Sequence, residues 1–149
     1  MEEENEPTEF YKGLREREID IVQHVLGLTK EPAALTDNQL EKMIEDLETK
    51  TFDFVEFAKN HALFISGETT TESDLNDRYP NFLHIYLQNR IARTSVLIHY
   101  NVKKLITLTR DAHIGNGDQA KTDTYIKNLS REVRHILEYA KSLGQIAKA

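Results

Sequence analysis

Residues 40 to 65 carry one uninterrupted apolar stripe, and that stripe decides the fold class. Leu40, Met43, Ile44, Leu47, Thr51, Phe54, Val55, Ala58, Ala62 and Ile65 recur three and four apart, the spacing that lines side chains up on one face of an α-helix. Thr36 and Gln39 have the T-x-x-Q spacing of a capping box, and Leu35 and Leu40 have that of a hydrophobic staple. The start of the helix is therefore marked by hydrogen bonding as well as by pattern. The phase does not break at Lys50, so the prediction is one helix of about 29 residues, roughly 43 Å long. The β-branched Thr49 and Thr51 mark the place where such a helix would kink.

The rest of the chain has the same period. Thr8 is placed to cap a first helix running to about Leu26, with Tyr11, Leu14, Ile21, Val22, Val25 and Leu26 inward and the run from Gly27 to Pro32 ending it. Residues 1–7 are acidic and are expected to be disordered. Residues 66–77 are polar and have no period, and Pro80 suits a first helical turn, where its missing N–H costs nothing. A long helix to about Arg110 follows, striped by Leu83, Leu87, Ile91, Ile98, Val102 and Leu105 and flanked by Tyr86, Leu97 and Leu108. The glycine turn at 113–118 leads to a last helix from about Asp118, with Tyr125, Leu129, Val133, Ile136, Leu137, Ala140 and Leu143 inward. No segment alternates with period two. The expected fold is all-α, one helical domain over 1–149, an antiparallel bundle of four to five helices.

Composition removes several classes of chemistry. The 149 residues contain no cysteine, which excludes disulfides, thiolate metal sites and cysteine nucleophiles. No apolar run approaches the roughly 20 residues of a membrane span, and the acidic start does not read as a signal peptide. The expectation is a soluble, intracellular chain. The net charge of −6 hides an asymmetry: residues 1–79 hold 20 acids and 8 bases, and residues 80–149 hold 5 acids and 11 bases. Mutual neutralisation of the two halves is favoured over a basic face reserved for an anionic partner, and nucleic acid is at most a secondary partner.

The candidate chemical motifs are incomplete. Glu132 and His135 have the E-x-x-H spacing of di-metal carboxylate bundles, but a second such pair is missing. The Gly115–Gly117 pair lacks a P-loop lysine and a preceding strand. Glu41, Glu45 and Glu48 step along one helix as an acidic ridge, and Lys127, Arg131 and Arg134 as a basic one; both read as solvated faces. The expectation is no catalytic, metal or cofactor site.

The stretch from Arg78 to Arg93 resembles the signature helix of GINS subunits, on Arg78, Phe82, Leu83, Tyr86, Leu87, Arg90, Ile91 and Arg93. The capped Leu35-Thr36 start with Leu40, Ile44 and Leu47 is similar to that family's early helix. Nothing in the chain reads as the small β-domain that members usually carry, the tryptophan common in the early helix is absent, and Pro80 interrupts a helix that is usually continuous. The resemblance is therefore to the helical domain alone. It implies a non-catalytic subunit of a DNA-replication assembly working through helix–helix contacts.

The physical reading leads the same way. Phe52, Phe57, Phe64, Ile85, Val96 and Ile106 exceed what one stripe per helix requires. With Arg90 and Arg93 as flanking charges, they are the candidate interface to a protein partner or a second copy. The alternative is a regulatory bundle holding a small molecule between helices, with Tyr86, His99, Tyr100 and Tyr139 as pocket candidates.

Overall fold

The computed structural model describes the backbone of residues 5–65 and 83–148, and the side chains of 10–60 and 88–142. Four α-helices account for most of it: α1 (Asn5–Lys30), α2 (Asp37–Ile65), α3 (Leu83–His113) and α4 (Gln119–Lys148). A 3-10 turn at Pro32–Ala34 joins the first two, and there is no strand among the described residues. Cross-helix pairs give the topology. Arg17 meets Asp53 and Lys50 meets Asp20. Arg110 meets Glu41, Arg90 approaches Tyr139, and Arg134 meets Glu18. Arg17–Asp53 and Asp20–Lys50 run in opposite chain order, and Arg110–Glu41 and Arg90–Tyr139 each join one end of a helix to the opposite end of the next, so α1–α2, α2–α3 and α3–α4 are antiparallel and α4 is in turn antiparallel to α1. This is an up-and-down four-helix bundle closed by the α1/α4 seam.

The capping box forms as spaced: the Gln39 N–H donates to Thr36 Oγ1 at 3.1 Å, and the Thr36 N–H donates to Gln39 Oε1 at 2.9 Å. The helix that follows runs unbroken for 29 residues. Thr51 does not interrupt it; the buried hydroxyl is satisfied by donating to the Leu47 carbonyl four residues back, at 2.9 Å. Leu47 and Val55 are both buried, as one continuous face requires. At the other marked turn, Gly115 takes a positive φ of 92°, a conformation open to glycine because it lacks a Cβ. Asp118 then caps α4 by accepting from the Lys121 N–H at 3.1 Å.

The first helix differs from its sequence reading at both ends. It begins at Asn5, so Thr8 lies inside it rather than capping it, and residues 5–7, expected to be disordered, are helical. It runs through Gly27 to Lys30, since one interior glycine costs only about 1 kcal/mol. Extending the helix keeps the inward row at Leu14, Glu18, Ile21, Val25 and Leu28, all buried, and turns Leu26 out to 53% exposure. Thr29 closes this last turn by donating to the Val25 carbonyl at 2.8 Å. Phe10 is also buried, one position before the expected Tyr11.

One apolar cluster runs through the bundle from Phe10, Leu14 and Ile21 through Leu47, Phe54 and Ile98 to Val133, Ile136 and Leu137. Burying each large aliphatic side chain contributes roughly 1.5–3 kcal/mol. The charge halves interlock around it. Arg134 donates to the buried Glu18 carboxylate at 3.1 Å, with Arg15 as its second partner. Arg110 pairs with Glu41, and His113 with Asp37 at 2.8 Å. No described helix is long and apolar enough to cross a membrane.

Candidate docking face

Among the described residues, apolar side chains stay in solvent beside the α2/α3 seam, as they do at Ile19 and Leu26 of α1. The inner wall of the seam is closed by Val55, Thr51 and Val102, all buried. Outside that wall lies an open groove lined by Glu45, Glu48, Thr49 and Phe52 from α2 and by His99 and Lys103 from α3. Phe52 is 59% exposed. On the outer surface of α3, Val96 is 67% exposed and Tyr100 50%. Leu97 is also exposed, one step further toward α4. Val96 and Tyr100 are four residues apart and stand side by side on a helix. Phe52 lines the α2 wall of the groove, whereas Val96 and Tyr100 lie outside its lining.

Charge frames this apolar strip unevenly. Glu45 and Glu48 line the groove from α2, with Glu41 further along that helix, and Lys103 lines it from α3; Arg93 and Lys104 are exposed on α3 outside the groove lining. Arg110 engages Glu41 at the far end of the seam, and its hydrogen bond holds the Glu41 carboxyl below the ordinary carboxylate range. Lys104 lies over the Tyr100 ring, 5.5 Å from its centre, and Tyr125 of α4 approaches the same ring at 6.5 Å. Among the described residues Glu45, Glu48, Arg93 and Lys103 take part in no ion pair.

The residues expected to form an interface divide into groups. Phe52, Val96 and Arg93 are exposed on or beside this face. Phe57 points the other way, to the α1/α2 seam, where it packs on the core, 5.9 Å from Phe10 and 3.8 Å beneath the Arg17 guanidinium. Gly13 makes that packing feasible, since a Cβ there would come within 2.6 Å of the Phe57 ring. Ile106 is half-buried against the core, and Arg90 turns to α4, 3.5 Å from the Tyr139 hydroxyl. Phe64 and Ile85 lie outside the described side chains. Leu97 and Tyr100 belong to the exposed strip although the sequence did not single them out as interface. The signal was there, since both lie off the Ile91–Ile98–Leu105 row.

The pocket candidates do not converge. Tyr100 faces outward, His99 lines the open groove, and Tyr139 sits by Arg90 and His135 on the α3/α4 side. Tyr86 lies outside the described side chains. The enclosed space between α1 and α4, lined by Ile21, Val25, Leu129 and Val133, holds about 10 Å³, room for about one water. The Glu132 carboxylate is buried, with Arg131 at 3.3 Å and His135 at 3.6 Å as its partners. Among the described residues no three His, Asp or Glu side chains stand together as metal ligands would. No family model, no curated protein and no solved structure matches the chain.

Proposed function

We propose that this chain is a non-catalytic helical assembly domain that docks another protein on its α2/α3 face through helix–helix contacts. The observation that supports the reading is the exposure of Phe52 on α2 and of Val96, Leu97 and Tyr100 on α3, four large apolar side chains about half exposed or more. Single exposed apolar residues are ordinary, but adjoining ones on a bundle whose core is already filled favour a partner. The resemblance along Arg78–Arg93 extends the proposal to a GINS-like subunit of a replication complex.

The test is capture from an extract of the source cells on immobilised protein, wild type against a Phe52→Asp, Val96→Asp double variant, with quantitative mass spectrometry. Circular dichroism should show the variant as helical as the wild type, because neither side chain is in the core. Proteins held by the wild type should be lost by the variant. An identical captured set would overturn the docking reading, and loss of helicity in the variant would make the strip part of the core.

A further inference from the structure

The charge pattern around the strip also specifies its occupant. The α2 edge of the groove is acidic at Glu45 and Glu48, with Glu41 further along the helix, and the α3 edge is basic at Lys103, with Lys104 and Arg93 exposed on the same helix outside the groove lining. The two helices are antiparallel and in register: Glu41 is level with Arg110, while Glu48 and Phe52 share the groove with Lys103 and His99. A two-fold axis lying along the groove, parallel to the helices, would carry each α2 over the α3 of a second copy without changing its height. Glu45 and Glu48 of one copy then meet Lys103 and Lys104 of the other, and the same contact repeats on the opposite side. Phe52 meets Val96 and Tyr100 at the centre. Glu56, whose ion pair with Lys59 is a loose 3.6 Å, comes level with the partner copy's Arg93.

We infer that the α2/α3 face is the isologous interface of a homodimer, with an apolar centre of Phe52, Val96 and Tyr100 and two symmetric acid-on-base edges. It rests on the docking reading above and names the occupant. The alternative two-fold axis, across the groove, lays α2 on α2. It would face Glu41, Glu45 and Glu48 with the Phe52–Lys59 half of the same helix, and the lysines of α3 with no acidic ridge. An isologous contact requires a self-complementary patch, and only the lengthwise axis makes this one so.

Charge reversal tests the pairing. Glu45→Lys with Glu48→Lys sets four lysines against one another at each edge of a homodimer, and Lys103→Glu with Lys104→Glu sets acid against acid. Each variant alone should associate at least about tenfold more weakly than the wild type by sedimentation equilibrium. An equimolar mixture of the two should dimerise again, because both edges of the mixed dimer regain opposite charges. All four substitutions are on exposed positions, so helicity should be unchanged by circular dichroism. A wild-type chain that stays monomeric across the micromolar range overturns the homodimer, and the extract experiment still decides the docking reading. A wild-type dimer that both reversals leave intact, or weakened variants that mixing does not restore, also overturns the proposed pairing.

Discussion

The α1/α4 and α2/α3 seams do the same topological job, joining antiparallel neighbours of opposite net charge, yet they are built differently. At α1/α4 the packing is flush: Leu14, Ile21, Val25 and Leu28 close on Leu129, Val133 and Ile136, all nearly inaccessible. The one charged group inside, Glu18, is 5% exposed and braced by two arginines. At α2/α3, Phe52, Glu45, Glu48 and Lys103 are left at the surface of an open groove. The bundle closes without the outer α2/α3 side chains.

That comparison breaks most visibly in the core. Leu14→Ala should cost about 2–5 kcal/mol in chemical denaturation, since a fully buried leucine leaves a cavity on truncation. Phe52→Ala should stay within about 0.5 kcal/mol in the monomer. A large loss at Phe52 would mean that the two seams are alike.

Cutting one ion pair from each seam gives a smaller effect. Arg134→Ala leaves the buried Glu18 carboxylate with Arg15 alone and should cost about 1–2 kcal/mol. Arg110→Ala frees an exposed carboxylate, which water solvates, and should cost clearly less than Arg134→Ala. Equal losses in a paired denaturation series would remove the distinction.

The smallest effect is in pH. His113 ties the end of α3 to the α1–α2 connection through the Pro32 carbonyl at 2.9 Å and Asp37 at 2.8 Å. Both ring nitrogens face acceptors, so the imidazolium is favoured, and its pKa is raised first by the Pro32 carbonyl and then by Asp37. A group whose folded value is raised stabilises fully below the unfolded value of about 6.5 and loses that contribution as pH climbs through the folded value. His113→Gln should flatten the fall in melting temperature from about pH 6 upward. A slope unchanged by the substitution would remove the latch.

What was legible in the sequence depended on how local the decisive physics is. The capping box and the unbroken stripe of α2 are set by residues three and four apart, so spacing alone placed them. The end of α1 was misjudged because Gly27 and Thr29 carry stop signals that tertiary packing overrides: burying Leu28 outweighs the cost of a glycine inside the helix. Ser95 and Asn101 are buried although neither belongs to the apolar stripe of α3. Each satisfies itself within α3, on the Ile91 and Leu97 carbonyls at 2.8 and 2.9 Å, a route open to short polar side chains on a helix. The candidate face was half visible. A helical wheel flags Phe52 and Phe57 alike as off the central row; only the cross-helix partners, Arg17 and Phe10 for one and the open groove for the other, separate them.

The up-and-down order also has a consequence for how the chain reaches this state. Three of the four seams join helices adjacent in sequence, so their contacts form after short loop closures. The fourth does not: Glu18 and Arg134 are 116 residues apart, and every contact of α1 with α4 closes nearly the whole chain. Loop-closure entropy grows with that separation, and it must be paid before the apolar contacts reward it. The α1/α4 seam is therefore the side whose contacts form last, and substitutions along it should accelerate unfolding more than they slow folding.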